Sequence, residues 1–255
     1  MQVARIYGAA LKIATWNLDR PWKNGRRRRA DLQRERIRSI GADIWVLTET
    51  WAEIQLPGYR CASTPSSLGS YDASESAVAI WVPETWGLRT LEVTTATLCA
   101  EVVPPDADSP VLVYGTIITW HGDPGAKSWV KHLEEADRQT ADWVRLHGKF
   151  PSHRLIVAGD FNMTLHADRG YGHKDGRRIV RERLPLAGMV CATAIDIRDA
   201  AHGALERDNI DHICIDHRLT LVAGPFAIPG STKEGERLSD HNGMVVEVRM
   251  KAPPP

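Results

Sequence analysis

Cysteine, phenylalanine and surplus charge are what this 255-residue chain has least of: four Cys, three Phe and a formal net charge of zero. Cys61, Cys99, Cys191 and Cys214 stand far apart with no Cys-x-x-Cys spacing. That pattern excludes the usual zinc and disulfide frameworks and leaves a reduced intracellular protein with buried thiols, so a cytoplasmic location is expected. Lys+Arg and Asp+Glu balance at 32 each. The chain therefore lacks the basic excess that by itself announces a nucleic-acid binder, although local patches and bound cations act independently of the total. No run reaches the ~18 apolar residues that span a bilayer. Met1-Gln2-Val3-Ala4-Arg5 leads into a strand-like segment without the apolar core of a secretion signal. An apolar share of 43% over this length suits one large α/β domain across 1–251, with Ala252-Pro253-Pro254-Pro255 as a frayed tail. A monomer is expected.

What is present is a series of short apolar runs: Leu11–Trp16, Ile44–Thr48, Ala77–Val82, Leu98–Val103, Val111–Thr119, Leu155–Ala158, Ile210–Ile215 and Met244–Val248. Several are rich in β-branched residues and read as strands. Helical spacing marks Arg29–Ile40 and Ala126–His147, and more weakly Val180–Leu186. Strands outnumber helices, and 77–119 and 190–249 read as strand only. The pattern predicts a four-layer α/β sandwich: two packed mixed sheets with helices outside. Two long polar segments remain. Arg20–Arg29 is rich in arginine around Trp22, and His166–Arg178 holds Arg169, Tyr171, His173, Lys174 and Arg177. Long loops of such content are often functional.

Polar residues recur where the apolar runs stop. Leu155-Ile156-Val157-Ala158-Gly159-Asp160-Phe161-Asn162 reads as a buried strand whose end lifts Asp160 and Asn162 out of the sheet. Other strand ends carry Asn17 and Asp19, Glu49, His121, Asp211-His212 and Ser239-Asp240-His241. Carboxylates gathered in one place repel one another unless a cation lies between them. Oxygen ligands without cysteine point to a hard ion, Mg²⁺ or alternatively Mn²⁺ or Ca²⁺. A hard cation, carboxylates and imidazoles together suit phosphate-ester hydrolysis.

Five segments in order then resemble the motifs of the endonuclease/exonuclease/phosphatase superfamily, the fold of DNase I and of exonuclease III-type AP endonucleases. They are Lys12-Ile13-Ala14-Thr15-Trp16-Asn17-Leu18-Asp19, Leu47-Thr48-Glu49-Thr50, Gly159-Asp160-Phe161-Asn162, Ile210-Asp211-His212-Ile213 and Ser239-Asp240-His241. The resemblance implies a metal-dependent phosphodiesterase, foremost a nuclease acting on DNA or RNA. Glu49 would be the main metal ligand, with Asn17, Asp19 and Asp240 near the ion. Asp160 would position or deprotonate the attacking water, Asn162 would hold a phosphoryl oxygen, and Asp211 would orient His241 at the scissile phosphate. His121, in His121-Gly122-Asp123-Pro124, matches the DNase I-like form in which a His serves as general acid, and Glu75 falls where that branch has a Glu orienting the His. The Asn17-x-Asp19 form is closer to the AP endonucleases. Inositol phosphates, phospholipid head groups or small nucleotides are alternative substrates, and a non-catalytic binding module is the rival of another class.

Each residue also has a plainer reading. Arg26 and Arg27, in the run Arg26–Arg29, are either a solvated helix start or phosphate contacts, since positive charge at a helix N-terminus opposes the dipole. Tyr171, His173 and Arg177 either touch substrate or only furnish a loop. Trp22 and Trp51 stack on a base or pack at the rim. His132, His147, His212 and His217 are expected to be structural.

Overall fold

The computed structural model describes residues 10–20, 27–51, 54–66, 75–105, 109–122, 129–199 and 205–250. In chain order the elements are β1 (Leu11–Asn17), α1 (Arg27–Ile40), β2 (Ile44–Trp51), β3 (Tyr59–Ser63), β4 (Glu75–Pro83), β5 (Gly87–Val93), β6 (Thr97–Val103), β7 (Val111–Ile117), α2 (Val130–Lys149), β8 (Arg154–Asp160), α3 (Lys174–Leu186), β9 (Met189–Cys191), β10 (Asp211–Asp216), β11 (Leu219–Ile228) and β12 (Gly243–Met250). They form two six-stranded sheets, ordered β11-β12-β1-β2-β4-β3 and β5-β6-β7-β8-β10-β9. One pair in each sheet is parallel, β1 with β2 and β7 with β8, and the other pairs are antiparallel. Among the described residues no helix is long and apolar enough to cross a membrane.

Three apolar clusters give the four layers. Ile13, Val46, Val78, Ile80, Val113, Ile156 and Ile213 meet between the sheets. Trp143, Leu146, Phe161, Val180 and Leu184 seat α2 and α3 on the second sheet, and Ile37, Trp16, Trp45 and Leu47 seat α1 on the first. Strands buried on both faces read as unbroken apolar runs, which is why the central strands were visible from sequence. β3, β5, β9 and β11 lie at the four sheet edges. Half of each such strand faces solvent, so its residues are mixed and no run announces it.

α3 begins at Lys174, inside the segment expected to be loop. Its buried positions are Gly176, Arg177, Val180 and Leu184, so the apolar stripe is missing from the first turn. His173 caps the helix instead, its ring accepting from the Asp175 amide at 3.2 Å, and the Asp175 carboxylate opposes the helix dipole favourably. α1 starts at Arg27 rather than Arg29. Arg26, Trp22 and the expected helix start at Ala126 lie outside the described residues. The cysteines are free: Cys99 and Cys214 are buried, but Cys61, on the edge strand β3, is exposed.

α2 fixes the outlet of β7. Gln139 donates to the Ile117 carbonyl at 3.0 Å and His132 Nδ1 donates to the Thr119 carbonyl at 2.7 Å. The sheets approach closely at Gly115 in β7, where an added Cβ would lie 2.5 Å from Val78 Cγ1 and 3.1 Å from Val46 Cγ1. Gly115→Ala is expected to destabilise the fold by about 1–3 kcal/mol through overpacking. Val78→Ala, which removes the clashing methyl, should recover part of that loss in the double variant. Urea denaturation of the four members of the cycle checks this; strictly additive losses would count against the close approach.

Candidate active site

Asn17, fully buried at the end of β1, joins the two sheets. Its amide donates to Asp211 Oδ1 at 3.1 Å, and its carboxamide donates to Asp160 Oδ2 at 3.1 Å and to Glu49 Oε1 at 3.3 Å. Its own Oδ1 accepts the Asp19 amide at 2.9 Å, and its carbonyl accepts the Ser239 hydroxyl at 2.6 Å. Five of the sequence candidates or their motifs are thus tied to one residue, three through its side chain and two through its backbone.

Asp160 ends β8 and Asp211 begins β10, and the antiparallel register sets them directly opposite each other. Like charges in that position repel. Burial, reinforced by Asp211 and opposed by His241, raises the Asp160 carboxyl to about 7. Asp160 is held by the Asn162 amide at 2.8 Å and the Asn162 carboxamide at 3.2 Å. His241 Nδ1 donates to Asp211 Oδ2 at 2.6 Å, which directs Nε2 toward Asp160 Oδ2 at 3.9 Å. Burial alone would lower the imidazole, but the charges of Asp211 and Asp160 prevail and lift it to about 10. Ser239 positions this ring: its Oγ accepts the His241 amide at 3.0 Å while donating to the Asn17 carbonyl. Gly159, before Asp160, has φ +142° and would place a Cβ 2.0 Å from the Thr116 carbonyl oxygen, so only glycine lets β8 lie this close to β7.

Among the described residues four non-glycine residues have left-handed backbone, Asp19 (φ 49°), Arg20 (47°), Glu49 (46°) and Asn162 (50°), and all lie at or near these strand ends. Such conformers cost about 1–3 kcal/mol each and persist where the surroundings over-determine them, often at functional sites. Glu49 is turned toward Asn17 and toward Arg20, whose Nη1 lies 2.7 Å from Oε2. Burial pushes the Glu49 carboxyl up, against the lowering effect of Arg20 and of the Asn17 hydrogen bond.

Other candidates are engaged differently from the expected roles. Glu75, buried at the start of β4, bonds Arg20 Nε and not His121, and its Oε2 has no partner. His121 is exposed beyond β7 and stacks on Trp129 at 4.7 Å and 29°. Asp19 accepts from Arg29 Nη1 at 2.6 Å and Arg237 at 2.9 Å, while Asp240 is exposed and lies 3.5 Å from Arg237. Asn162 directs its carboxamide hydrogens at Ile118 O, 2.9 Å away, and at Asp160, so it positions that carboxylate. Arg177 is buried with its guanidinium on the carbonyls of Tyr171, Gly172 and Asp168, tying the loop to α3. Tyr171 is exposed, and His173 lies 5.8 Å from Trp129. In the arginine run, Arg27 is exposed, Arg28 pairs with Glu236 at 2.6 Å, and buried Arg29 binds Asp19 and the Arg20 carbonyl. His212 is buried and donates from Nε2 to the Met163 carbonyl at 2.9 Å, bracing the turn after Asn162. Arg20 and Arg29 carry site contacts that sequence reasoning did not assign. Their only sequence sign was proximity to Asp19, because each partner comes from tertiary contact.

A two-sheet α/β sandwich with a buried carboxylate–imidazole centre at one sheet end is the architecture of a phosphate-ester hydrolase. The Endonuclease/Exonuclease/phosphatase family matches residues 14–241, and the chain belongs to that family, as an enzyme that hydrolyses phosphate esters. Among solved structures, the human Nocturnin catalytic domain with bound sulfate anion is similar, with TM-score 0.69 and 15% identity over 95% of each chain. AP endonuclease LMAP from Leishmania major superposes with TM-score 0.68 and 16% identity, covering 95% of this chain and 88% of that one. D. rerio TDP2 complexed with single strand DNA product gives TM-score 0.65 and 15% identity, covering 95% and 100%. At these identities the likeness is one of fold. No curated protein matches the sequence.

Asp211→Asn should bring the His241 pKa down from about 10 toward its ordinary 6.5, because the charge that raises it is removed. In the wild type the pair's contribution to stability is complete below about 6.5 and is lost as pH rises through about 10. Histidine NMR titration of both proteins reads the shift; an Asn variant that still titrates near the wild-type value would refute the dependence on Asp211.

Proposed function

We propose that this protein is a divalent-metal-dependent phosphodiesterase acting on nucleic acid. The observation that carries the reading is the Asp211–His241 pair aimed at Asp160, with 3.9 Å between Nε2 and Oδ2. An attacking water can bridge the two from one side, accepting from the imidazolium and donating to the carboxylate, while a phosphoryl oxygen can accept from the imidazolium alone. Relatives support the substrate class: one similar structure is an AP endonuclease, and another, D. rerio TDP2, was solved with a single strand DNA product.

The residues fit a hard cation. Glu49 and Glu75 already share one positive group, Arg20, and the buried Glu75 Oε2 lacks a partner. Asn17, Asp160 and Glu49 offer oxygen atoms, and none of the four cysteines lies among the site's hydrogen-bond partners. Glu49 would hold the ion with Asn17 beside it, while Asp19 and Asp240, both on Arg237, would add negative charge nearby. Mg²⁺ suits such donors best, with Mn²⁺ or Ca²⁺ as substitutes. When bound, the ion supplies charge neutralisation at the phosphoryl oxygens.

In the reaction, His241 Nε2 donates to a phosphoryl oxygen, and Asp160 orients the attacking water and takes its proton. The water oxygen–phosphorus bond forms in line as the ester oxygen–phosphorus bond breaks. His121, at the outlet of β7, is the group proposed to protonate the leaving oxygen. Asn17 and Asn162 hold Asp160 throughout.

Asp160→Ala and His241→Ala are each expected to lower hydrolysis by about 10²–10⁴-fold with the fold intact, and excess EDTA should abolish wild-type activity. The panel is plasmid DNA, abasic duplex, RNA, bis-nitrophenyl phosphate, sphingomyelin and phosphoinositides, each with Mg²⁺ and with chelator. Turnover of the wild-type kind by either variant would overturn the site, and activity confined to the lipids would overturn the nucleic-acid reading.

A further inference from the structure

Arg20 is the cation between the Glu49 and Glu75 carboxylates, and its placement is unusually determined. Its amide donates to the Glu49 carbonyl at 3.0 Å, and its own carbonyl accepts from Arg29 Nη2 at 2.9 Å. Its φ of +47° is held in the left-handed region by these bonds. The guanidinium then forks: Nη1 lies 2.7 Å from Glu49 Oε2 and Nε bonds Glu75 Oε1. Glu49 is on β2 and Glu75 on the neighbouring β4, so the two carboxylates belong to adjacent strands with the guanidinium between them. Glu75 is 5% exposed, and among the described residues its Oε2 has no hydrogen-bond partner. A carboxylate buried that deeply needs a charged partner, and Arg20 is it.

We propose that Arg20 is a built-in counter-cation that competes with the divalent ion for Glu49, and that Glu75 is the seat that retains Arg20 when the ion binds. This rests on the metal-dependent reading above. One oxygen of Glu49 is covered by Nη1 while the guanidinium is in place, so an ion can take that oxygen only if the Arg20–Glu49 contact opens. The Nε bond to Glu75 is made by the opposite side of the guanidinium and does not have to break. Arg20 therefore stays anchored, its charge neutralised by Glu75, while Glu49 turns to the ion. Without Glu75, Arg20 would lose one of the two carboxylates between which its guanidinium is shared and would hold Glu49 more firmly. The same device explains why Glu75 is not paired with His121: its carboxylate already serves an arginine.

Loss of Arg20 and loss of Glu75 predict opposite shifts in metal affinity. Isothermal titration of the purified protein with Mn²⁺, repeated with Mg²⁺, reads the affinity directly without any turnover. Arg20→Gln should bind Mn²⁺ about tenfold more tightly than wild type, since a like charge next to the ion is gone and the partly exposed site is screened by water. Glu75→Gln should bind about tenfold more weakly. Arg20→Lys, a point charge unable to fork between two carboxylates, should fall between wild type and Arg20→Gln and provides the reading if the Gln variant fails to fold. Glu49→Gln should abolish the heat signal and identifies the site titrated. Unchanged or weakened binding in Arg20→Gln, or tighter binding in Glu75→Gln, overturns the competition while leaving the metal reading standing. Absence of Mn²⁺ and Mg²⁺ binding by the wild type overturns both.

Discussion

The contact on which the rest depends is the bridge from Asn17 to the opposing sheet. One residue at the end of β1 donates its amide to Asp211 and its carboxamide to Asp160, so the first sheet is bound to both acidic strand ends of the second. These bonds are buried, and charged acceptors make them strong. They also fix the distance between the sheets at the mouth, where apolar packing gives way to polar chemistry. Ser239 and Glu49 attach to the same residue, so the ends of β8 and β10, strand β2 and the Ser239 loop share a single reference point.

Around that point the protein gathers more negative charge than a buried site tolerates alone. Asp160 and Asp211 are opposed by register, and Glu49 and Glu75 lie on adjacent strands. The compensation is divided. His241 answers the first pair and Arg20 the second, while Asp19 is drawn aside by Arg29 and Arg237. The strained backbone at Asp19, Arg20 and Asn162 lies just past the strand ends, and that at Glu49 lies within the last residues of β2, where these pairings are made. A site poised this way has charge, dipoles and donors set before substrate arrives, which is what phosphoryl chemistry requires of a scaffold.

Legibility from sequence followed burial. Leu155–Ala158 and Ile210–Ile215 were visible because both faces of their strands are covered; β8 runs one residue earlier and two later, and β10 is displaced by one residue. The edge strands β3, β5, β9 and β11 were invisible because solvent breaks their pattern. α3 was shortened to its last turns because Gly176 and Arg177 occupy buried positions where an apolar residue would have signalled a helix. Arg177 and Asn162 looked like groups aimed at substrate, yet their donors serve neighbouring carbonyls and Asp160. A side chain's type tells what it can bond; only its surroundings tell what it does bond.

The order of apolar runs and the polar residues that end them determined, by themselves, the α/β sandwich, and they singled out Asn17, Glu49, Asp160, Asp211 and His241, which the fold brings together. Apolar burial is a sum over local runs, and motif order survives in a linear string. Tertiary structure alone decided the pairings: His241 with Asp211, Asp19 with Arg29, and Arg20 rather than His121 with Glu75. Those partners lie 30, 10 and 55 residues apart. Coulomb and hydrogen-bond energies fall off within a few ångströms, so no pattern in the string can stand in for the distance between them in the fold.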